Sequence, residues 1–320
     1  VMVITGYAGT GKTTVTSVLI EELPKIIKTA RLLNTDVKVP VDVELTATTN
    51  KAAEALSQLT GYRVSTIHSY LGLRVQTNYR NNETSLVQTK NSTNKADTII
   101  FIDEASYIDY KLLGFIEDLT KDCKVIFMGD PAQLTPINSN HAPVFEKGYN
   151  TVALTEVVRQ IAGNPIIDLA TAFRNTVNTG KFFKFTPDNQ SVIHMDRDSF
   201  DKELLKDFSN PSWTSTQSKL LAWTNKRVIA YNHGISALIQ GDPNLQIGDY
   251  AVCNKYISNR ACSLRTDQLV QITELTPAIE YGIKGWFVQM DHRHRAFLPA
   301  KQEDKKAALK KAKKKENWHL

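Results

Sequence analysis

Several apolar runs along the chain fail to alternate with polar residues, and that failure is informative. Val1–Ile4, the β-branched stretch 39–46, Thr98–Ile102 and Lys124–Met128 read as strands with no polar side to show. Strands covered by helices on both faces have this character, and such strands belong to parallel sheets. Helical periodicity fills the intervals. Residues 11–23 place Val15, Val18, Leu19 and Leu23 on one side before Pro24 interrupts the pattern, and further helices are predicted over 52–59, 110–119, 165–174 and 225–239. The alternation of strand and helix predicts an α/β fold with a parallel sheet.

Three segments depart from this pattern. Residues 74–95 carry two short strand-like runs around Asn81-Asn82-Glu83, which predicts a polar hairpin inserted between sheet elements. Residues 218–225 (SKLLAWTN) read as a strand opening a second α/β domain. From 248 to 299 the runs DYAVCN, DQLVQIT and GWFVQM, separated by turn residues, predict a small β-barrel. The expected organisation is a first domain over 1–160 with its hairpin, a linker and the start of a second domain over 161–245, the barrel over 246–300, and a lysine-rich helical arm over 301–320.

Composition changes this picture little. With 42% hydrophobic and 22% charged residues in 320, the chain resembles an ordinary globular protein. No apolar run reaches membrane-spanning length and no cleavable leader opens the sequence, so a cytoplasmic protein with no membrane partner is expected. The net charge of +6 is concentrated. Residues 301–316 hold eight lysines against three acids, leaving +1 for the remainder, so bulk charge alone is weak evidence for nucleic acid. Cys123, Cys253 and Cys262 are never spaced as C-x-x-C, which suggests neither a disulfide framework nor a zinc site.

The chemistry begins at Gly6-Tyr7-Ala8-Gly9-Thr10-Gly11-Lys12-Thr13-Thr14, which fits G-x-x-x-x-G-K-[ST] at every fixed position. The glycines let the backbone turn its N–H groups inward, and the following helix adds the positive end of its dipole. Gly6, Ala8, Gly9, Thr10, Gly11, Lys12, Thr13 and Thr14 are therefore the expected nucleotide contacts. Lys12 would reach the β- and γ-phosphates of ATP, and the Thr13 hydroxyl would hold Mg²⁺. A chance glycine-rich turn is the bland alternative, expected on the order of once in a hundred chains of this length.

At the end of the 98–102 strand stand Asp103 and Glu104, where open α/β sheets bind ligands. Asp103 can hold Mg²⁺ through water, and Glu104 can orient and deprotonate an attacking water. Gln133, in GDPAQLTP, offers an uncharged amide to a γ-phosphate, against the bland reading of a turn around Asp130-Pro131. Arg159, in TEVVRQ, supplies a second candidate phosphate contact. His68 reads as well as a structural histidine as a functional one. Thr49 or Asn50 can simply cap the 52–59 helix.

Taken in order, GYAGTGKTT, TATTNKAAEAL, TIHSYLGL, FIDEAS, MGDPAQLTPI, LTEVVRQ and LAWTNKRVIAYN resemble the motifs of superfamily 1B DNA helicases, in their Dda-like and RecD-like branch. The resemblance covers residues 1 to about 232, and the β-rich run that follows is similar to the SH3-like insertion of that family. It implies a P-loop NTPase with two RecA-like domains, the second partial and carrying the SH3-like barrel. It further implies ATP and Mg²⁺ between the domains, single-stranded DNA across their top, and 5′-to-3′ movement driven by hydrolysis. Catalytic roles fall by position on Lys12, Glu104, Gln133 and Arg159, with Mg²⁺ on Thr13 and Asp103. Thr48, Thr49, Asn50, Thr66 and His68 are implied along the DNA path, and the 74–95 hairpin becomes a strand-separating pin. The expected partners are single-stranded DNA, fork duplex and a single-strand-binding protein, with the chain itself a monomer.

The sequence departs from the family at Thr48, where a proline is usual. An upstream adenine-reading glutamine and the downstream motifs of the second RecA-like domain do not appear in these 320 residues, and the chain opens inside a βα unit, so a fragment with weak hydrolysis is expected. Rival readings are a P-loop motor acting on RNA or in DNA packaging, and a nucleotide-gated DNA-binding fragment with little turnover.

Overall fold

The computed structural model describes residues 1–304 apart from 8, 34–39, 41, 79–82, 137, 138, 140, 157–163, 215, 216, 243, 254–256, 259, 260, 281 and 302. It divides into two compact units, 1–193 and 194–320. In the first, the chain runs through β1 (Met2–Gly6), α1 (Lys12–Leu33), β2 (Asp42–Ala47), α2 (Asn50–Thr60), β3 (Ser65–Thr66), α3 (Ile67–Tyr70), β4 (Leu73–Asn78) and β5 (Glu83–Gln88). It continues through β6 (Ala96–Asp103), α4 (Tyr110–Leu119), β7 (Asp122–Gly129), β8 (Asn150–Leu154) and α5 (Pro165–Thr179).

Six of these strands form one sheet in the order β3-β2-β6-β7-β1-β8, with every neighbouring pair parallel. The reason lies in β6. Successive side chains of a strand point to opposite faces. Ile100 and Ile102 pack with Leu112, Leu113 and Ile116 of α4 and with Ile67 of α3, while Ile99 and Phe101 pack on the other face with Ile20 of α1 and Leu56 of α2. Both faces are dry, so the run has no polar alternation. The parallel α/β expectation is borne out.

The inserted hairpin is present as the antiparallel pair β4–β5, in register from Leu73↔Gln88 to Asn78↔Glu83. Its tip, residues 79–82, lies outside the described residues. Its base belongs to the core: Leu73 is buried in the α4-side cluster and Leu86 packs against it.

Two expectations are corrected. Pro24 does not end the first helix, and α1 continues from Lys12 to Leu33. Proline removes one helical hydrogen bond and crowds the preceding turn, but Pro24 itself is exposed and leaves intact the packed face, where Ile20, Leu23 and Ile27 join the core. The second correction concerns Leu220–Trp223. This stretch forms no strand among the described residues, and Leu221 and Trp223 are almost fully exposed. A parallel strand needs neighbours to pair with, and none of the described strands pairs with it.

The second unit contains α6 (Arg197–Phe208), α7 (Asn225–Gln240), β9 (Tyr250–Val252), β10 (Ile257–Ser258), β11 (Ser263–Leu264), β12 (Leu269–Glu280), β13 (Ile283–Met290) and β14 (His294–Pro299). Thr224 caps α7 by accepting from the Arg227 N–H, and Gly241 ends it in a left-handed turn. Strands β14-β13-β12-β9 make a four-stranded antiparallel sheet, and β10-β11 a separate ribbon. Val270, Ile272, Val288 and Met290 bury its core together with Cys253 and Cys262. The lysine-rich arm beyond 304 lies outside the described residues.

Candidate functional site

Because the sheet is parallel, the C-terminal ends of β1, β2, β6 and β7 emerge along one edge. Register aligns Thr5 with Gly129 and Ala47 with Asp103. Four loops therefore meet there: 6–12, 48–50, 103–107 and 129–133.

The 6–12 loop is shaped by its glycines. Gly9 and Gly11 have φ of 86° and 82°, a region that side chains disfavour. At Gly6 the constraint is space: a Cβ would lie 2.5 Å from Thr10 Oγ1 and 3.1 Å from Leu154 Cβ. Thr10 closes the turn, its N–H and hydroxyl both donating to the Tyr7 carbonyl. Lys12 Nζ donates to the carbonyls of Gly6 and Tyr7 at 2.7 and 3.0 Å. Burial pushes the Lys12 ammonium below its usual range, while Asp130, Asp103 and Glu104 oppose the shift. Thr13 stands in the first turn of α1, where its carbonyl accepts from Ser17 Oγ; Thr14 is exposed. Ala8 lies outside the described residues.

Asp103 and Glu104 close β6. Burial raises the Asp103 carboxyl above its ordinary value, against the Glu104 N–H that donates to Asp103 Oδ1 at 2.9 Å and against the Lys12 charge. Glu104 is raised by burial and then by Asp103. A carboxylate made more basic in this way is a better proton acceptor near neutrality. Glu104 also holds a left-handed backbone, φ 55° and ψ 44°, uncommon for a residue with a side chain. Gln133 follows on the β7 loop, its N–H donating to the Asp130 carbonyl. Arg159 lies outside the described residues.

These groups suit a nucleotide with its metal. The cradle at Gly6 admits backbone but no side chain, and the helix behind it directs N–H groups forward. Among the described residues no cluster of three or more acidic, histidine or cysteine ligands could hold a metal by itself. Mg²⁺, however, is usually held by one or two protein oxygens together with substrate phosphates, and Thr13 and Asp103 carry oxygens of the kind such a site uses.

The residues expected along a nucleic-acid path are already engaged. Thr49 Oγ1 accepts from the Ala52 N–H and caps α2, so the bland reading of Thr49 holds. Asn50 opens that helix. Thr66 Oγ1 accepts from the Ser69 N–H and caps α3. A hydroxyl that accepts can also donate, so capping leaves these threonines competent to contact phosphate. Thr48 is buried and donates to the Glu104 carbonyl. Burial lowers the His68 pKa, opposed by Asp109. With Tyr107, Lys111 and the hairpin residues Val75 and Ser85, His68 lines a cleft of about 230 Å³.

A family model described as an AAA domain matches residues 1–197, more than half of the chain. The chain belongs to this AAA domain family. Proteins similar to it include helicases. It is 31% identical over 266 residues to the ATP-dependent DNA helicase dda of Enterobacteria phage T4, covering 78% of this chain and 55% of that one. It is 30% identical over 172 residues to the ATP-dependent RecD2 DNA helicase of Deinococcus radiodurans, covering 53% of this chain and 21% of that one. The chain thus spans about half of the first relative's length and a fifth of the second's. Among solved structures, Pif1 helicase from Bacteroides in complex with ADP-AlF3 and ssDNA aligns at a TM-score of 0.43 and 16% identity, over 93% of this chain and 70% of that one. The superfamily 1B resemblance of the Dda-like and RecD-like kind is borne out by these relatives.

For this AAA domain chain, sequence reasoning passed over one part of the site. Asp130 is buried and paired with Arg174 of α5, and the Arg174 guanidinium lies 3.8 Å over the Tyr7 ring of the phosphate loop. The signal for Asp130 was its place in GDPAQ; nothing local marked Arg174.

Proposed function

We propose that the chain carries the ATPase core of an ATP-dependent DNA helicase that moves 5′ to 3′ along single-stranded DNA and opens duplex. The observation that carries this reading is the convergence of Lys12, Asp103, Glu104 and Gln133 on one edge of the parallel sheet, with Lys12 close enough to feel both carboxylates. Likeness to the dda and RecD2 helicases supplies the task. Among the described residues no helix is long and apolar enough to cross a membrane, which accords with action in the cytoplasm, that of a bacterial host if the protein is phage-encoded.

In this reading the 6–14 loop wraps the phosphates of ATP and Lys12 holds the β- and γ-groups. Thr13 and Asp103 would hold Mg²⁺, which would neutralise charge on the phosphate oxygens. Glu104 accepts a proton from water as the water oxygen bonds to the γ-phosphorus. The bond from that phosphorus to the β–γ bridging oxygen breaks, and ADP leaves with its electron pair. Gln133 and Arg159 hydrogen-bond the γ-phosphate oxygens as charge spreads over them. Thr48, Thr49, Asn50, Thr66 and His68 line the strand path, and β4–β5 serves as the pin against which the fork is divided. Residues 161–245 hold a linker and the start of a second RecA-like domain, and the antiparallel unit is its SH3-like insertion. The working species is a monomer on single-stranded DNA and fork duplex, with a single-strand-binding protein as partner.

The test is ATP turnover with poly-deoxythymidine and with poly-uridine, together with unwinding of a duplex bearing a 5′ single-stranded tail. Stimulation by the DNA polymer and opening of the 5′-tailed duplex are expected. Stimulation by poly-uridine alone would transfer the activity to RNA, and absence of turnover under all conditions would reject the reading.

A further inference from the structure

The loop joining β2 to α2 reaches the acid pair through one residue. Thr48 follows the last residue of β2, and only 8% of its surface is exposed. Its N–H donates to the Asp103 carbonyl at 3.1 Å, and its hydroxyl donates to the Glu104 carbonyl at 3.0 Å. The two carbonyls it grips are consecutive: Asp103 ends β6 and Glu104 follows it. Glu104 is the place where the chain leaves extended geometry for the left-handed region. Local contacts help to hold that turn: the Glu104 N–H donates to Asp103 Oδ1, and the Glu104 carbonyl also accepts from the Tyr107 N–H. Thr48 is the anchor that comes from another strand. On its other side Thr49 caps α2, so a short, hydrogen-bonded path joins the 48–50 loop to Glu104.

We propose that Thr48 is a positioning residue for hydrolysis, fixing the backbone of Asp103 and Glu104 so that the Glu104 carboxylate meets the attacking water, and linking strand contact at the 48–50 loop to turnover. The inference rests on the role of Glu104 in the reading above. A side chain at position 48 needs a hydroxyl to do this. Valine matches the shape of threonine without the donor, and serine keeps the donor. Misplacing a catalytic group by about 1 Å can reduce rate by roughly a hundredfold, so loss of one anchor has a measurable consequence.

The experiment compares Thr48→Val, Thr48→Ser, Glu104→Gln and the parent protein, reading kcat and KM for ATP with and without poly-deoxythymidine, and thermal melts for folding. For Thr48→Val, kcat at saturating polymer should fall about ten- to a hundredfold with KM for ATP within twofold, and the ratio of stimulated to unstimulated rate should fall towards one. Thr48→Ser should restore most of both. Should Thr48→Val fail to fold, Thr48→Ala takes its place in the comparison with Thr48→Ser. Parent-like kcat in the variant lacking the hydroxyl overturns the inference, as does a loss that serine fails to rescue or that appears as a raised KM with a lower melting temperature. If the parent and Glu104→Gln turn over ATP equally, or neither does so, the reading of Glu104 falls first and takes Thr48 with it.

Discussion

Arg174, on α5, holds the buried carboxylate of Asp130 with both terminal nitrogens, 44 residues away in sequence. The same guanidinium covers the Tyr7 ring. A planar fork that binds a carboxylate edge-on keeps its flat faces available for an aromatic ring, so one side chain ties α5, the β7 loop and the phosphate loop together. Removing one partner of a buried pair strands the other. Arg174→Ala should therefore lower stability by about 3 kcal/mol, read as a fall in thermal midpoint. The double variant Asp130→Asn, Arg174→Gln should recover a substantial part. Equal midpoints for parent and Arg174→Ala would show that the pair is dispensable.

Lys12→Ala removes a charge whose burial is already unfavourable, from a loop that contributes no core side chain. ATP turnover should be lost while the melting temperature holds within a few degrees. A variant that hydrolyses ATP at the parent rate would remove the phosphate loop from the mechanism.

Glu104→Gln tests chemistry and stability together. Turnover should fall by roughly two to four orders of magnitude, with nucleotide still bound. Since burial raises both Asp103 and Glu104, the folded chain holds these protons to higher pH than the unfolded chain does. Their contribution to stability is complete below the unfolded values, near 3.8 and 4.5, and is lost as pH rises through the raised ones. At neutral pH the ionised pair is a net burden, so Glu104→Gln should melt no lower than the parent at pH 7.5, with any gain shrinking towards pH 4. The acid limb of parental kcat should lie above the ordinary glutamate value of 4.5. A limb at or below that value would remove Glu104 as the base.

The hairpin calls for a narrower cut than its sequence limits suggest. Leu73 and Leu86 pack into the core, and Thr89 and Ser92 donate to the carbonyls of Gly72 and Leu71, so removal of 74–95 would damage the fold. Replacing only 76–84 with a short Gly-Ser turn should spare polymer-stimulated hydrolysis and reduce base pairs opened per ATP consumed. An unchanged ratio would take the pin out of the account; parallel loss of both activities would make the segment structural.

The sheet was legible because its central strands are wet on neither face: Ile99 to Ile102 of β6 needed no alternation to be recognised. The hairpin and α4 were legible from local signals, the polar Asn81-Asn82-Glu83 turn and the helical periodicity of 110–119. The motif residues were legible as identities, but their geometry was not. Glu104's left-handed backbone depends on contacts from Thr48, and Asp130 depends on an arginine on a distant helix. Neither leaves a periodic trace. Pro24 misled because its penalty is local, and the helix beyond it gains enough from Ile27, which packs against the α1-side core. Leu220–Trp223 misled for the opposite reason: its composition suits a strand, but a strand exists only where another offers hydrogen bonds.

The strand order also governs when the nucleotide site can come into being. Met2 lies beside Ile126 on one flank and Asn150 on the other, so β1 has no neighbour until the chain through β7 has been made, and lacks its second until β8 follows. Closing such distant pairings is slow compared with forming helices. During synthesis the phosphate loop should therefore remain unformed while α2, α4 and the hairpin collapse around β6, and capacity to bind nucleotide should arise only as β1 slots between β7 and β8. For a nascent chain of this protein, acquisition of nucleotide affinity would mark the completion of the parallel sheet.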